Sequence, residues 1–358
     1  MSSKLEVGSP RISVCIPAYN RPIALGQLLE SVVDQNYDDF EIVVSEDSSP
    51  AAEEIREVVQ GIACNNPHRK VFFSSNEKNL GYDGNFRRLL ELSKGEYCLF
   101  IGDDDLLRPG ALKRVAEVVN RYKNIGAINR AFLHTDRFTG EVLSKHQYYS
   151  GDRFFSAGID TAASFFRRFV VISGLVLHRE QSIKLATNEF DGSLLYQLYL
   201  VANLLLNMDG YYISDFIAER RAGEAHFFGS SEIEKNKFVP QKLTPDHSVT
   251  FMEGMLSIAK FVDSSRGIEF SNLVIADLAS YAYSYLSLHA SRKTVLWKYA
   301  RALGNLGMRR KPIFWLYVGL LLLFPVSVID KLINVAKTVV GRTPAIGGFY
   351  RGQPISRC

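Results

Sequence analysis

The chain has 358 residues, of which 47% are hydrophobic, so it can bury a substantial core and does not belong to the disordered class. Its formal net charge is only +4, and the basic residues alternate with acids except near the C-terminus, which argues against a nucleic-acid partner. None of the four cysteines lies at the spacing of a zinc finger or a redox motif, so we expect a reduced, cytosolic protein.

Short apolar runs alternate with amphipathic segments between residues 11 and 133. The apolar runs predict five strands, RISVCIPAY, FEIVVSED, KVFFSS, EYCLFIG and IGAINRAFL. The segments between them predict four helices, RPIALGQLLESVVDQ, AAEEIREVVQG, GNFRRLLELSKG and PGALKRVAEVVNRY, and we expect Gly61 and Gly95 to end the second and third of these. This alternation predicts an α/β domain in which helices flank a mostly parallel central sheet.

Polar residues follow each of the first four predicted strands. They lie at 17–21, 45–49, 79–83 and 102–105, and three of the four groups contain carboxylates. Ligands bind at the carboxyl ends of the strands in such sheets, so the four groups predict a binding site at one edge of the sheet. For the last group taken alone, a solvated acidic turn at the end of a buried strand is the alternative.

Three consecutive aspartates, Asp103, Asp104 and Asp105, follow the fourth strand. Their like charges repel unless a cation gathers them or water screens them. The chain has neither a Gly-x-Gly-x-x-Gly fingerprint after the first strand nor a P-loop, so a ligand with phosphates would need another countercharge. Carboxylate oxygens suit Mg²⁺ or Mn²⁺, which makes a divalent cation the predicted cofactor.

Four segments carry a resemblance to a known family. SVCIPAYNR, EIVVSEDSS, NLGYDGNF and LFIGDDDLLRPGAL look like successive motifs of the family 2 glycosyltransferases with a GT-A fold, and they occur in the family's order. The resemblance runs from about residue 11 to about residue 230. Two positions depart from the family pattern, because Ser48-Ser49 replaces the usual Gly-Ser and Gly102 stands where many relatives have another aspartate.

The resemblance implies roles for several of these side chains. Asp47 would bond to the base or ribose of a nucleotide sugar, Pro17 and Tyr19 would line the base pocket, and Asp103 would face the ribose or sugar. The other expected donor contacts come from the same polar groups and are Asn20, Arg21, Glu46, Asn79, Gly81, Asp83 and Asp104.

The resemblance also implies a metal on the diphosphate, held by Asp105. Asp103 and His226 are further candidate ligands, and the departure at Gly102 leaves open which aspartate binds the metal. The segment FIAERRAGEAHFFGSS contains Arg220, Arg221 and His226, and relatives often have an arginine or histidine here that touches the diphosphate or metal. A surface basic pair with an ordinary loop histidine is the alternative.

A catalytic carboxylate is expected from a later segment, ATNEFDGSLLYQLYLVANLLL. Asp191 precedes a helical run that starts at Leu194, and the resemblance implies that it is the general base that takes the proton of the acceptor hydroxyl. Glu189 is the second candidate for this role. The alternative for Asp191 is a helix N-cap, a position that aspartate favours.

The C-terminal third is predicted to be helical from about residue 249. Within it, residues 313–329 carry no charge and have basic residues on both sides. Such a segment fits an element that lies on or dips into an anionic membrane surface, and a single span or a buried helix are the alternatives. We therefore predict a catalytic domain of residues 1–230 and a helical region of residues 231–358 with this membrane-associating segment.

Together these features predict an inverting, metal-dependent hexosyl- or deoxyhexosyltransferase. The predicted acceptor is a polyprenyl-diphosphate-linked oligosaccharide of O-antigen or another cell-surface polysaccharide, which is the acceptor class of abequosyltransferase-like enzymes in lipopolysaccharide biosynthesis. We predict that the protein lies at the cytoplasmic face of the inner (plasma) membrane, as a peripheral or monotopic protein. Two alternatives remain. One is a degenerate, non-catalytic family member that assists assembly at a membrane. The other is a nucleotidyltransferase, although PAYNRPIALG lacks the Gly-rich basic loop that such an enzyme needs.

Overall fold

The computed structural model describes residues 10–224, 227–235, 237–238, 245–332 and 353–354. The chain divides into two compact units, the first of Met1–Gln241 with Gly352–Cys358 and the second of Lys242–Arg351. The functional division that we predict after residue 230 stays a prediction.

The first unit contains, among the described residues, one sheet with helices on both of its faces. Its strands are β1 (Ile12–Ala18), β2 (Phe40–Glu46), β3 (Lys70–Ser75), β4 (Tyr97–Phe100), β5 (Leu106–Leu107), β6 (Ile125–Asp136), β7 (Val142–His146), β8 (Arg153–Phe155), β9 (Leu175–His178), β10 (Asp209–Ala222) and β11 (Gln353–Pro354). Its helices are α1 (Pro22–Val33), α2 (Ala52–Asn65), α3 (Gly81–Leu92), α4 (Ala111–Arg121), α5 (Ile159–Phe166), α6 (Arg179–Lys184) and α7 (Tyr196–Asn207), with a 3-10 turn at Arg167–Phe169.

The sheet is mixed, and the part of it formed by the N-terminal strands is parallel as predicted. β3, β2, β1 and β4 lie side by side in parallel, and β6 pairs with β10 in parallel. All seven residues of β2 are buried, as expected for a strand that is covered on both faces. One face packs against α1, α2 and α4 through a single apolar cluster, and the other is in contact with α3 and α7. The predicted α/β fold class is therefore confirmed.

One strand interrupts the parallel order. β9 lies between β4 and β6 and runs antiparallel to both, so β4 and β6 do not pair with each other. β9 comes from the segment VISGLVLHR and is only four residues long. Because its partners are distant in sequence, its position could not be predicted from the pattern of β4 and β6.

Two predicted helix ends also differ from the structure. α2 continues through Gly61 to Asn65, because Ile62 extends the apolar stripe of Ile55 and Val59 onto the core. α3 begins at Gly81, before the predicted start, and ends at Leu92, so Gly95 lies beyond it in the turn to β4.

The second unit is helical, as predicted. Its described helices are α8 (Pro245–Arg266), α9 (Phe270–Ser280), α10 (Tyr283–Leu286), α11 (Lys293–Asn305) and α12 (Pro312–Leu323), with 3-10 turns at Ser287–His289 and Met308–Arg310. α12 buries Phe314, Val318 and Leu321, which share one face of the helix.

The uncharged segment 313–329 does not form one continuous helix. α12 ends at Leu323, Phe324 is extended, and residues 326–332 are helical again. Pro325 explains the break, because a residue before proline avoids the helical region and proline has no N–H to donate. Across the part of the chain that the structure describes, no helix is both long enough and apolar enough to cross a membrane.

Candidate active site

The turn after β2 is held by two carboxylates. Glu46 is fully buried and accepts hydrogen bonds from the backbone N–H groups of Ser48 (3.0 Å) and Ser49 (2.7 Å) and from the Ser75 hydroxyl (2.8 Å). Asp47 accepts from the Asn76 amide group at 2.8 Å and from the backbone of the residue before α3. Glu46 therefore shapes the turn that presents Asp47.

Burial changes the protonation of Asp47. It raises the pKa of this carboxyl to about 6, although the hydrogen bonds from Leu80 and Asn76 oppose the shift. The residue is only 4% exposed. A further hydroxyl or amide that donates to a carboxylate this deeply buried would stabilise its ionised form.

Arg21 is the cation that gathers the aspartate run. Its guanidinium donates to Asp103 Oδ1 at 2.6 Å and lies 3.6 Å from Asp104 Oδ2, and the backbone N–H of Tyr19 donates to the other oxygen of Asp103 at 2.9 Å. The loop after β1 is thus bonded to the loop after β4, as the sequence pattern predicts for neighbouring parallel strands. Burial raises the pKa of Asp103 to about 6, but the charge of Arg21 opposes this shift.

Asp105 faces a different set of partners. The hydroxyl of Ser173 donates to one of its oxygens, and the backbone N–H of Arg221 donates to the other at 2.9 Å. Arg221 also donates through Nε to the backbone oxygen of Asp104 at 2.8 Å. Burial, followed by the nearby charge of Asp104, raises the pKa of Asp105 to about 7.

The three aspartates differ in exposure. The Asp104 side chain is 24% exposed, whereas that of Asp103 is 4% exposed and Asp105 is 5% exposed as a residue. Asp104 is therefore the carboxylate of the run that is most open to a ligand. Gly102 makes room for this arrangement, because a Cβ there would lie 3.2 Å from Asp104 Oδ1 and 3.4 Å from Asp105 Oδ2.

The N-terminus of α3 is closed by a segment from the end of the first unit, residues 227–235. Glu234 is 3% exposed and accepts from the backbone N–H groups of Tyr82 (2.8 Å) and Gly229 (2.9 Å), one at each carboxylate oxygen. Gly81 lies beneath it with a φ of +74°, and a Cβ there would come within 2.8 Å of Glu234 Oε1. Asn79 turns the chain at this point by accepting from Gly81 N–H at 2.9 Å.

Two aromatic rings of the same segment lie near residues of the loop after β1 and of α3. The ring of Phe227 lies 5.6 Å from that of Tyr19, and the Arg21 guanidinium lies 5.0 Å from the Phe227 ring centre. The ring of Phe228 lies 6.3 Å from that of Tyr82. Residues 227–235 therefore form a cover over the loops that follow β1 and β3. His226, which we consider a candidate metal ligand, lies outside the described residues.

Asp191 is not the N-cap of α7, so this alternative is wrong. The N-cap residue is Leu195, and the carboxylate of Asp83 caps the helix from α3, where it accepts from the backbone N–H groups of Leu194 and Tyr196 at 2.9 Å each. Asp191 instead forms a two-point ion pair with Arg87, at 2.5 and 2.7 Å.

The Asp191–Arg87 pair borders an open cleft of about 200 Å³ on the outer side of α3. Leu80, at one end of this cleft, donates its backbone N–H to Asp47 at 2.9 Å, so the cleft adjoins the loop that carries Asp47. Glu189 is exposed nearby, and its backbone N–H donates to Thr187.

Two further predicted residues lie at the end of β1 and in the loop that follows it. Pro17 and Asn20 are half-buried, and Asn20 has a φ of +58°, which turns the chain into α1. The structure thus brings the groups after β1, β2 and β4, together with the N-terminus of α3, to one edge of the sheet. Sequence reasoning did not single out Ser173, Arg87, Phe227 and Glu234, because each reaches the site through a contact with a residue that is distant in sequence.

The comparisons with known proteins agree with the fold. The family model for glycosyl transferase family 2 matches residues 13–173. The chain carries a glycosyltransferase family 2 domain. The described fold is correspondingly GT-A-like, and among solved structures it is similar to S. aureus TarS 1-349 in complex with UDP-GlcNAc, with a TM-score of 0.56, 15% identity and coverage of 96% of this chain and 98% of that one. At that identity the likeness shows the fold alone.

Two curated proteins with named activities are similar to part of this chain. The chain is 31% identical over 152 residues to the GalNAc(5)-diNAcBac-PP-undecaprenol beta-1,3-glucosyltransferase of Campylobacter jejuni, which is 41% of this chain and 48% of that protein. It is 38% identical over 104 residues to the abequosyltransferase RfbV of Salmonella typhimurium, which is 28% of this chain and 30% of that protein. The matched part thus spans about half or less of each relative.

Proposed function

We propose that the protein is an inverting glycosyltransferase that moves a sugar from a nucleotide-sugar donor to a polyprenyl-diphosphate-linked oligosaccharide. One observation carries the proposal. Asp47, Asp103, Asp104 and Asp105 meet at the carboxyl edge of a GT-A-like sheet, within a glycosyltransferase family 2 domain. The names of the two relatives, one of which includes a PP-undecaprenol acceptor, support the acceptor class.

The donor site would use the loops after β1, β2 and β4. Asp47 would accept from the base or ribose of the nucleotide, beside Pro17 and Tyr19, and Asp103 would accept from a hydroxyl of the ribose or sugar. Glu46 and Asp83 are bonded to backbone N–H groups of the protein, so in this proposal they position the site and do not touch the donor.

A divalent cation fits the aspartate run if the substrate supplies most of its ligands. Within the described ranges, no group of three or more His, Cys, Asp or Glu side chains is arranged to hold a metal ion alone. Mg²⁺ and Mn²⁺ sites often need only one or two carboxylates together with substrate phosphates. Asp104 is the most exposed of the three, and we propose that it, together with Asp105, contacts a cation, which would neutralise the leaving diphosphate.

The acceptor hydroxyl needs a base as its oxygen attacks the anomeric carbon and the nucleoside diphosphate leaves. We assign this role to Asp191, with Glu189 as the second candidate. Asp191 is 16% exposed as a side chain and borders the cleft beside the Asp47 loop. Its pair with Arg87 would hold the carboxylate in place, and release from one of the two bonds would leave an oxygen for the hydroxyl proton.

The second unit offers a surface for a membrane. Six of its exposed apolar residues lie on α12 and the segment after it, and they are Trp315, Leu316, Leu323, Phe324, Val328 and Leu332. Arg309, Arg310 and Lys311 precede this patch, so it matches the mixed apolar and anionic character of a lipid leaflet. We therefore propose peripheral or monotopic binding at the cytoplasmic face of the membrane that carries the acceptor.

The donor class is tested by thermal unfolding of the full chain with UDP, CDP, GDP and dTDP, each with and without Mn²⁺. A ligand that binds only the folded state raises the melting temperature, and we expect one nucleotide to do so more strongly with Mn²⁺. Asp104→Ala should remove the effect of Mn²⁺ and keep part of the nucleotide effect. If no nucleotide shifts the melting temperature and no donor is hydrolysed, the protein is a non-catalytic family member.

A further inference from the structure

A buried cation, Arg130 on β6, has no role in the proposed reaction. It is fully buried and is the bulkiest of the fully buried side chains among the described residues. Burial lowers the pKa of its guanidinium to about 10, so the group is charged at neutral pH. Its hydrogen bonds go to amide and carbonyl oxygens, and it forms no ion pair within the part of the chain that the structure describes. Burying a charge without a carboxylate partner costs free energy, so packing alone does not account for the arginine.

The guanidinium of Arg130 binds the segment of chain that leads into β9. Its Nε donates to the carbonyl oxygen of Ser173 and its Nη2 to that of Val171, at 2.7 Å each. β6 pairs with β9 only up to Ile128, so these two bonds hold the segment where the backbone ladder has ended. Gly174 fits the same contact, because its φ is +85° and a Cβ there would lie 3.2 Å from Arg130 Nε.

Ser173 connects this segment to the aspartate run. Its hydroxyl donates to one oxygen of Asp105 and accepts from the backbone N–H of Gly102 at 3.1 Å. The next residue, Gly174, donates its backbone N–H to the carbonyl oxygen of Phe100 at 2.8 Å. The position of this segment therefore decides where the Ser173 hydroxyl lies, and with it the direction of the Asp105 carboxylate.

We propose that Arg130 is a positioning residue that, through Ser173, holds the Asp105 carboxylate in the orientation that receives the cation. The guanidinium is planar and its N–H donors have fixed directions, so one side chain fixes two carbonyl oxygens at once. Asn129 steadies the fork, since its Oδ1 accepts from Arg130 Nη1 at 3.2 Å. Charge-assisted bonds of this kind are strong where water does not compete for them. The inference rests on the proposed function only for the cation at Asp105.

Hydrogen exchange of the full chain, measured without ligand and well below the melting temperature, tests the positioning. The backbone N–H of Gly102 has the Ser173 hydroxyl as its acceptor, so any displacement of Ser173 weakens its protection. We expect this amide to exchange about tenfold faster in Arg130→Met, and at least as fast in Ser173→Ala, which removes the acceptor itself.

Arg69→Met is the matched control. Arg69 likewise donates to three backbone carbonyl oxygens of a neighbouring loop, and it also pairs with the exposed Asp38. It immediately precedes β3, so it lies at the amino ends of the strands, opposite the edge that carries the aspartate run. Its loss should lower the melting temperature but leave exchange at Gly102 unchanged. Equal exchange at Gly102 in Arg69→Met and Arg130→Met would overturn the positioning role.

Calorimetric titration with Mn²⁺, in the presence of the nucleoside diphosphate found by thermal unfolding, tests the consequence for the cation. Arg130→Met and Ser173→Ala should each weaken Mn²⁺ binding about tenfold, and Arg69→Met should not. Arg130→Met also removes a positive charge, which by itself would strengthen the binding of another cation. Weaker binding therefore reports lost orientation, and equal or tighter Mn²⁺ binding in Arg130→Met overturns the proposal.

The double variant Arg130→Met with Ser173→Ala tests the route. If Arg130 acts through the Ser173 hydroxyl, the double variant should bind Mn²⁺ as Ser173→Ala does. Losses that multiply would show two independent effects and overturn the route through Ser173. The absence of any Mn²⁺ effect in the wild type would contradict the cation in the proposed function, whereas exchange at Gly102, measured without ligand, still supports or overturns the positioning by Arg130.

Discussion

Ser48 stands where the family usually has glycine, and it has a backbone conformation that favours glycine. The family usually has glycine at this position, and the backbone of Ser48 has a φ of +54°, in the left-handed region that favours glycine. An L side chain held there costs roughly 1–2 kcal/mol. The two bonds from the amides of Ser48 and Ser49 to Glu46 hold the turn in this conformation.

Asp83 should make the stability of the protein depend on pH. Burial raises the pKa of this carboxyl from 3.8 to about 7, so the folded state binds the proton more tightly than the unfolded state does. The free energy of unfolding that Asp83 contributes is therefore largest at low pH and falls as the pH rises from about 4 to about 7. We expect Asp83→Asn, which cannot titrate, to flatten this dependence.

Urea unfolding of the wild type and Asp83→Asn at several pH values measures the effect. At pH 5 the protonated carboxyl still has an oxygen facing each of the N–H groups of Leu194 and Tyr196, whereas asparagine places an NH₂ group, which cannot accept, against one of them, so the variant should be less stable by about 1–3 kcal/mol. This difference should shrink as the pH rises to about 8, because only the wild type then carries a buried charge. A difference that stays constant across this range would contradict the prediction.

The base assignment of Asp191 is tested against its partner Arg87. Asp191→Asn and Arg87→Gln both break the same ion pair, so they should lower stability by similar amounts. If Asp191 is the base, Asp191→Asn should also lower the turnover number by about 10²–10⁴-fold, with nucleotide binding unchanged, whereas Arg87→Gln, which keeps the carboxylate and loses only its orientation, should lower turnover less. Equal losses of turnover in both variants would show that the pair is structural, and Glu189→Gln would then be the variant to measure.

At the scale of elements, the sequence predicts strands and helices better than it predicts their neighbours. β1 to β4 and the helices between them follow from apolar runs and amphipathic spacing, because each element is long enough to show its period. β9 and the cover formed by residues 227–235 do not, since both are short and are held by contacts with distant residues such as Tyr97, Ile128 and Tyr82.

The cover should depend on Glu234. Glu234→Gln leaves one acceptor oxygen for the N–H groups of Tyr82 and Gly229, so we expect faster hydrogen exchange at these two amides and a loss of about 1–2 kcal/mol. Glu232→Gln is the control, because its side chain is 89% exposed and pairs with Lys235 on the surface. Exchange at Tyr82 and Gly229 that is the same in both variants would exclude a closing role for Glu234.

At the scale of the whole molecule, the sequence predicts where the site lies but not how its side chains face. The run of three aspartates indicates a bound cation, and the structure shows Arg21 in contact with it. The sequence could not show that Asp83 and Glu46 accept from backbone N–H groups of the protein, because both belong to the same predicted polar groups after strands as Asp47 does. Position after a strand selects the edge of the sheet, whereas side-chain direction depends on partners far away in the sequence.

The apolar patch of the second unit should bind anionic membranes. α12 has 12 residues and is about 18 Å long, well short of the roughly 30 Å of a bilayer core, so we expect insertion into one leaflet only. Leu316 and Leu323 are 55% and 78% exposed, and replacing both with glutamate removes apolar area and adds charge that anionic lipids repel.

Co-sedimentation of the full chain with vesicles measures this binding. Wild type should bind vesicles that contain phosphatidylglycerol, and added salt should weaken the binding because the flanking basic residues are screened. The double variant Leu316→Glu with Leu323→Glu should bind at least tenfold more weakly. Leu288→Glu is the control, since Leu288 is 72% exposed but lies in the turn Ser287–His289, away from α12 in sequence. Equal binding by the double variant and this control would remove the patch from the membrane contact and leave the acceptor to reach the enzyme by another surface.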